Sequence, residues 1–212
     1  MIKVDLHNHS YYSDGVLSPA KVVGLAKEAG CDLFSLTDHD TTDGVAEAQI
    51  EADKFGVNLL TGVEISAFWR NMTIHVVGLG IDLNNDKLQE GLAHNQKLRK
   101  DRAEKIALGL WRSGIKDALE KTQSLSKTEM LTRTHFAQML IKEGYCKDMK
   151  SVFRRYLTGK KPGGVRVEWK NIDQVVAWIH AAGGKAIIAH PFRYRMTHTK
   201  IKKLLYEFKE VL

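Results

Sequence analysis

The sequence predicts an α/β protein whose alternating strands and helices are interrupted by a helical segment. Three observations lead to this fold class. Short apolar runs alternate with amphipathic stretches over residues 1–87, a Lys/Arg-rich stretch without strand patterns covers 88–156, and the alternation resumes over 157–212. Strands joined through helices by short connections pair in parallel, so this pattern indicates a β/α barrel or an open parallel sheet.

The first α/β part begins with a strand at residues 2–9, where the period of two places His7 and His9 on one side. Ser18 then caps a helix that has Pro19 at its first position and stops at Gly30. Four further elements follow in order: a buried strand at 31–37, a helix at 44–55, a strand at 57–61 and a strand at 73–79. We expect these strands to be parallel because the connections between them are short.

The middle segment, residues 88–156, is helical in composition and is predicted to be an insertion subdomain. The α/β pattern then returns with a helix that Asn171 caps and that ends at Gly183. A strand over 185–189 leads directly to His190. Apolar residues at helical spacing from Ile201 onwards predict a final amphipathic helix.

Composition limits the class of protein further. The chain has 212 residues, 43% hydrophobic, which is enough for one domain with a real core. No apolar run approaches the ~18 residues of a membrane helix, so we expect no membrane partner. The two cysteines lack CxxC spacing, which favours reduced thiols and a cytoplasmic location. The net charge of +7 favours polyanionic partners, although a solvated basic surface explains it nearly as well.

Acids and imidazoles gather where the predicted strands end. Five of the nine histidines and three acids lie at or near such ends: His7, His9, Asp14, Asp38, His39, Glu64, His75 and His190. The chemistry of α/β barrels collects at the carboxyl ends of the strands. Mixed imidazole and carboxylate ligands suit Mn²⁺, Fe²⁺ or Zn²⁺ better than Mg²⁺. The sequence therefore predicts a polynuclear metal site.

Five motifs in order carry a family resemblance: HNHSYYSDG, TDHDTTDG, GVEIS, IHVVGLGID and IAHPFRY. Together they resemble the PHP (polymerase and histidinol phosphatase) family of metal-dependent phosphoesterases. LTRTHFAQMLIKEGY and YLTGKKPGGVRVEW are similar to the bacterial branch of 3′,5′-nucleoside bisphosphate phosphatases and 5′→3′ exoribonucleases. The resemblance implies a distorted seven-stranded β/α barrel with three Mn²⁺ ions, or Fe²⁺ or Zn²⁺ in their place. It also implies a nucleotide or short RNA substrate, and it leaves the oligomeric state open.

The resemblance also implies a role for each matching residue. His7, His9 and Glu64 would hold the first metal, Glu64, His75 and His190 the second, and Asp14 and His39 the third. Glu64, His39 and Asp38 are the implied catalytic residues, with Asp38 and Asp40 orienting imidazoles by accepting their distal N–H groups. The substrate's other phosphate is assigned to Arg133, to Lys160 or Lys161, and to Arg193. For His135 a contact with substrate and simple packing are equally open.

The implied reaction is phosphoester hydrolysis, since metal binding lowers the pKa of water from ~15.7 toward ~7. Two alternatives stay open: a small-metabolite phosphatase of the histidinol phosphatase kind, and a catalytically impaired nucleotide- or nucleic-acid-binding form. Relatives of this type carry a C-terminal Gly-x-Asp-x-His signature that this sequence lacks. We therefore expect a barrel short of at least one strand, with the first and third metals each short of one ligand.

Overall fold

The computed structural model describes residues 2–194 and 196–212. Its described strands form two three-stranded sheets, one with the order β1-β2-β3 and the other β4-β5-β6. The six strands are Val4–Asn8 (β1), Leu33–Leu36 (β2), Asn58–Leu59 (β3), Gly62–Trp69 (β4), Met72–Leu79 (β5) and Lys185–Ile188 (β6). The first sheet is parallel, and the second is antiparallel. The fold class is therefore mixed α/β.

The α-helices of the described residues are Pro19–Glu28 (α1), Val45–Phe55 (α2), Asp86–Arg112 (α3), Ala118–Gln123 (α4), Arg133–Lys142 (α5), Met149–Val152 (α6), Ile172–Ala181 (α7) and His198–Lys209 (α8). Ser18 caps α1 by accepting a hydrogen bond from the Lys21 N–H, as its position before Pro19 predicts. None of the helices in the described part of the chain combines the length and apolar character that crossing a membrane requires.

The antiparallel sheet corrects two predictions. β4 and β5 form a hairpin around Arg70 and Asn71, whose φ angles of 46° and 65° are those of a two-residue turn matched to strand twist. Parallel pairing is therefore right for β1 to β3 and wrong for the strands at 73–79 and 185–189, which pair antiparallel as β5 and β6. β4 is a strand that the sequence-based prediction did not contain, and the two-residue link from β4 to β5 cannot carry the crossover that parallel strands need. Glu64 is also not at a strand end, since it is the third residue of the eight-residue β4.

The two sheets meet at the segment that follows β2. The Asp40 N–H donates to the Glu64 carbonyl at 2.9 Å, and the Glu64 N–H donates to the Asp38 carbonyl at 3.1 Å. These two bonds make a short parallel bridge between His39 and Glu64. The bridge places the end of β2 beside the middle of β4, and so brings residues from the two sheets into one site.

Three of the four apolar clusters among the described residues hold most of the elements together, and the fourth is a small one of Val77, Leu79 and Ala189. One packs α1 and α2 on the parallel sheet, one packs α7, α8 and the start of α3 on the antiparallel sheet, and one lies among the later part of α3 and the helices α4 to α6. α3 enters two clusters, through Leu88 and Leu92 at its start and Ile106 and Leu110 further along. Where α3 crosses α7, Gly91 allows close approach, since a Cβ there would overlap the Trp178 ring.

Candidate metal centre

A single buried carboxylate, that of Glu64, lies at the middle of the predicted site. Its side chain is 1% exposed, and five imidazole nitrogens surround it. Glu64 Oε1 is 3.2 Å from His75 Nδ1 and 3.0 Å from His190 Nε2. Glu64 Oε2 lies near the other three nitrogens, at 3.2 Å from His7 Nε2, 3.1 Å from His9 Nε2 and 3.1 Å from His39 Nδ1. The structure thus brings together six of the seven residues predicted to be metal ligands.

Each imidazole reaches Glu64 from a different element. His7 lies in β1 and His9 directly after it, and their rings are 5.2 Å apart, on one side as the alternation predicts. His39 follows β2, and His75 is the fourth residue of β5. His190 follows β6 with a φ of 32°, a left-handed conformation that is uncommon for residues other than glycine. Such strain concentrates at functional sites, where the surrounding structure enforces it.

The donor set fits metal ions better than it fits hydrogen bonds alone. A carboxylate offers about four lone-pair sites, so it cannot accept an N–H from all five imidazoles. Accordingly Glu64 Oε2, His39 Nδ1 and His75 Nδ1 are buried without a hydrogen-bond partner. Two groups of donor atoms, each within 4.8 Å of one another and each including Glu64, can hold a cation: His7, Glu64, His190 and His9, His39, Glu64. Cations between these atoms would satisfy the nitrogens and the carboxylate together.

The charge states of Glu64 and His39 are those that side chains need in order to bind a metal ion. Burial would raise the pKa of Glu64, but the polar interactions of the surrounding imidazoles, His190 foremost, outweigh burial and hold that pKa well below its ordinary value. Burial lowers the pKa of His39 well below that of a free imidazole, against the opposing charge of Glu64. Glu64 is therefore ionised and His39 neutral near pH 7, the forms in which these groups bind metals.

Asp14 lies at the edge of the cluster. Its carboxylate oxygens are 3.9 Å from His9 Nδ1 and 3.9 Å from His39 Nε2, and it accepts a hydrogen bond from Thr134 Oγ1 at 3.2 Å. Asp14 is about a quarter exposed. Asp14 therefore offers a carboxylate ligand beside His39 at the solvent-facing edge of the cluster, where a bound ion would contact solvent or substrate.

Asp38 supports the centre through two serines. It was expected to accept an imidazole N–H, but its oxygens accept instead from Ser10 N at 2.7 Å, Ser10 Oγ at 2.6 Å and Ser13 Oγ at 2.6 Å. Ser13 Oγ is 3.4 Å from His9 Nδ1. Because Ser13 Oγ donates its hydrogen to Asp38, it can only accept a hydrogen bond from His9 Nδ1–H. His9 then carries its hydrogen on Nδ1, which leaves Nε2 free to face Glu64. Burial raises the pKa of Asp38, against the hydrogen bonds from the serines.

Asp40 also has a different partner from the one expected. Instead of an imidazole, it binds the guanidinium of Arg99 on α3, with Oδ2 2.7 Å from Nε and 2.6 Å from Nη2. Asp40 Oδ1 accepts from Ser66 N and from Asn95 Nδ2, each at 2.8 Å. This buried network ties α3 to β4 two residues after Glu64, so it fixes the strand that carries the central carboxylate.

The predicted phosphate-binding residues divide into two groups. Arg193 lines the open pocket over the metal centre, which has a volume of about 400 Å³. Arg133 lines a smaller adjoining cavity of about 80 Å³ that also touches Asp14, His39 and His75. Both arginines therefore lie beside the cluster.

Lys160 lines neither the pocket over the centre nor the cavity of Arg133. It is exposed in the loop after Leu157, and Pro162 of this loop packs against Gly109 of α3. Gly109 lies ten residues beyond Arg99, which is about 15 Å along a helix that rises about 1.5 Å per residue. His135 has a structural role, because its Nδ1 accepts the Thr132 N–H and completes the cap of α5.

Two arginines at the site were missed by the sequence-based interpretation. Arg99 and Arg102 belong to the charge run over 97–105, which is equally consistent with a solvated helix face or a nucleic-acid contact. In the structure Arg99 is only 6% exposed, and Arg102 lines the same small cavity as Arg133. Their spacing of three residues, with Asn95 a further turn back, is the signal that could have placed them on one inward helix face.

Comparisons with known proteins agree with this geometry. The sequence model of the PHP domain matches residues 5–172. The chain is 43% identical over 210 residues to a "3′,5′-nucleoside bisphosphate phosphatase" of Chromobacterium violaceum, covering 99% of this chain and 74% of that protein. It is 41% identical over 208 residues to the "5′-3′ exoribonuclease Rnm" of Escherichia coli, covering 97% and 71%. A solved structure described as an amidohydrolase from C. violaceum, with bound sulfate and no metal, superposes with a TM-score of 0.95 at 42% identity, covering 99% and 74%.

Proposed function

The chain belongs to the PHP domain family, and from this membership we propose that it is a metal-dependent phosphoesterase acting on nucleoside 3′,5′-bisphosphates and on short RNA with a 5′-phosphate. The observation that carries the proposal is the buried Glu64 carboxylate with five imidazole nitrogens 3.0–3.2 Å from its oxygens. Relatives more than 40% identical over nearly the whole chain are named as a bisphosphate phosphatase and as an exoribonuclease.

Three divalent ions, most simply Mn²⁺ and alternatively Fe²⁺ or Zn²⁺, are the proposed cofactors. His7, His9 and Glu64 would hold the first, Glu64, His75 and His190 the second, and Asp14 and His39 the third. When bound, such ions lower the pKa of water and offset the charge of a phosphate that is being cleaved. The mixed nitrogen and oxygen donors of the centre favour transition metals over Mg²⁺.

The chain's own residues prepare the site for this chemistry. Glu64 supplies one charge shared between two donor groups, and the Asp38–Ser13 pair holds His9 with Nε2 directed inwards. Arg193 at the mouth and Arg133 in the adjoining cavity present guanidinium groups to phosphate oxygens. Holding the substrate at two points fixes the scissile phosphate over the centre, and such orientation lowers the barrier by reducing the entropy lost in reaction.

The finer architecture is also a proposal. We place the two sheets in one distorted seven-stranded β/α barrel, with residues 1–87 and 157–212 as the core and 88–156 as an inserted subdomain. The bridge between His39 and Glu64, which joins the sheets, supports this arrangement. A cytoplasmic location is proposed as well. It is supported by Cys31 and Cys146, which are both free and buried.

The experiment that tests the function is hydrolysis of a substrate panel by the full chain with added Mn²⁺. The panel contains a nucleoside 3′,5′-bisphosphate, a 5′-phosphorylated short RNA and histidinol phosphate, and phosphate or nucleotide release is measured with and without a chelator. We expect Mn²⁺-dependent release from the first two. Preference for histidinol phosphate would favour the small-metabolite phosphatase. Stoichiometric binding of nucleotide without turnover would favour a binding protein.

A further inference from the structure

The backbone N–H of His75 has a side chain as its partner, at the point where β5 and β6 stop pairing. The Ala189 N–H donates to the His75 carbonyl at 3.0 Å, one residue beyond the end of β6. In a regular antiparallel ladder the Ala189 carbonyl would accept the His75 N–H in return. The chain instead turns away at His190, whose φ is 32°, and the His75 N–H donates to the hydroxyl of Tyr194 at 2.8 Å. The Tyr194 hydroxyl therefore takes the place of a backbone acceptor.

The ring of Tyr194 contacts a second histidine, His190. The two ring centroids are 5.4 Å apart and the ring planes are inclined at 60°, which is a favourable distance for an aromatic pair. A single 3₁₀ turn, Pro191–Arg193, separates the two residues, so the loop that brings them together is short. Tyr194 is partly buried and also packs against the apolar cluster of the antiparallel sheet. This packing fixes its ring beside His190.

The two histidines that Tyr194 contacts share one oxygen of the central carboxylate. Glu64 Oε1 is 3.2 Å from His75 Nδ1 and 3.0 Å from His190 Nε2. The two imidazole rings are 5.6 Å apart. These three residues are the proposed ligands of the second metal. Tyr194 therefore contacts both histidines of one metal site.

His190 differs from His9 in how its ring is oriented. Metal-binding histidines usually donate their second ring N–H to a carboxylate, a carbonyl or water, and this bond fixes the ring. Ser13 Oγ lies in that position for His9. His190 Nδ1 is buried and has no hydrogen-bond partner among the described residues. The orientation of the His190 ring therefore depends on packing, to which Tyr194 contributes an aromatic contact.

We propose that Tyr194 is a positioning residue of the metal centre, which holds His75 through its hydroxyl and His190 through its ring so that both imidazoles face one oxygen of Glu64. The inference rests on the proposed function, because it takes these three ligands as one metal site. Removing a group that orients a metal ligand typically weakens metal binding by roughly 10- to 100-fold. Tyr194 therefore sets the affinity of this site and takes no part in the reaction once the ion is bound.

The test is a titration of the full chain with Mn²⁺ in the absence of substrate, at a temperature where circular dichroism shows every variant to be folded. Tyr194→Phe keeps the ring and loses the hydroxyl, and Tyr194→Leu loses both contacts. Tyr206→Phe is the matched control, because it removes the hydroxyl of a tyrosine of α8 that is 66% exposed. We expect the Kd of one Mn²⁺ site to rise roughly 10-fold in Tyr194→Phe and roughly 100-fold in Tyr194→Leu. Tyr206→Phe should leave every site unchanged.

A double-mutant cycle separates positioning from general stabilisation. His190→Ala should remove the same Mn²⁺ site, so adding Tyr194→Phe to it should not weaken the remaining sites further. A purely structural Tyr194 would lower the Tm of the metal-free variants and leave the Kd of the folded chain unchanged. It could also weaken all sites equally, with His190 or without it. Either result would overturn the proposal.

Hydrolysis of a nucleoside 3′,5′-bisphosphate supplies the second readout. At limiting Mn²⁺ the rate of Tyr194→Phe should fall by the same factor as its metal affinity, and saturating Mn²⁺ should restore kcat. A loss of kcat that persists at saturating Mn²⁺ would overturn the positioning role. Metal binding that depends on Tyr194, in a chain that hydrolyses no phosphate ester, would refute the proposed function alone. An unchanged Kd in Tyr194→Phe, with a wild type that is active, would refute this inference alone, and a wild type that binds no Mn²⁺ would refute both.

Discussion

The Asp40→Asn substitution should destabilise the protein strongly although it removes no metal ligand. Asp40 is fully buried and its carboxylate accepts three hydrogen bonds, from Ser66 N, from Asn95 Nδ2 and from Arg99 Nε. Its Oδ2 also lies 2.6 Å from Arg99 Nη2 in the same ion pair. An asparagine keeps one acceptor oxygen, but the NH₂ group that replaces the other oxygen points its hydrogens at groups that are themselves donors. Arg99, 6% exposed, is then left without a counter-charge.

The magnitude follows from the burial of both partners. Removing one partner of a buried ion pair costs about 3–5 kcal/mol, because the remaining charge stays desolvated and unpaired. For a chain of 150–250 residues each kcal/mol shifts Tm by about 2–4 °C. We therefore expect Tm to fall by roughly 6–20 °C, the product of these two ranges. Because the network fixes β4, we expect metal affinity and activity to fall as well.

The measurement is thermal and urea unfolding of the metal-free chain followed by circular dichroism, with metal content determined separately. Asp43→Asn is the matched control, since it removes the same charge at an exposed position three residues away, and it should stay within about 0.5 kcal/mol of the wild type. Adding Arg99→Met to Asp40→Asn should recover part of the lost unfolding free energy, because it removes the unpaired buried charge of Arg99. A loss of unfolding free energy below about 1 kcal/mol for Asp40→Asn would refute this reasoning. Strict additivity of the two free-energy changes in the double variant would refute it as well.

Three further results are expected. Glu64→Gln should abolish metal binding and turnover together, because the amide cannot neutralise two cations. Glu51→Gln, a half-buried carboxylate of α2 that pairs with Lys54 outside the centre, should change neither. Metal analysis and the Mn²⁺ assay check this, and retained metal with turnover in Glu64→Gln would contradict it. Gly91→Ala should cost about 1–3 kcal/mol in urea unfolding because the new methyl group overlaps the Trp178 ring. Gly24→Ala, where the methyl group would meet only Phe55 at an ordinary contact of 3.7 Å, should cost nothing, and equal stabilities of the two variants would contradict the packing. Stripping metal held at 100 times its Kd should lower stability by about 2.7 kcal/mol and Tm by about 5–11 °C, and an unchanged Tm after chelation would show that the centre binds no metal.

The cluster around Glu64 could be predicted from the sequence because it depends on two robust rules. Strand alternation puts His7 and His9 on one side, and functional residues in α/β folds lie near strand ends. These rules do not depend on exact strand bounds. They placed His39, His75 and His190 near the centre even though β4 was not predicted and the strands at 73–79 and 185–189 were expected to be parallel.

The hairpin escaped prediction because its turn has weak local signals. Arg70 takes a positive φ without being Gly, Asn or Asp, and only Asn71 is typical of such a turn. Arg102 escaped for a different reason. Helical spacing puts Arg102 on the same face as Asn95 and Arg99, but in a charged helix the residue types alone do not make that face stand out as the inward one. Lys160 or Lys161 was a candidate through the resemblance of GKKP alone, which gives no information on how far along α3 this loop packs.

The donor atoms around Glu64 come from residues as far apart in the chain as His7 and His190, and this has a consequence for how the protein is made. A ribosome adding about 5–20 residues per second takes roughly 10–40 s to travel from the first to the last of them. His39, Glu64 and His75 follow early in that interval, but His190 is missing until its end. A complete metal centre therefore forms late in synthesis, and shortened translation products that end before His190 lack a member of the set. Metal content would then report on the fraction of chains translated and folded past β6.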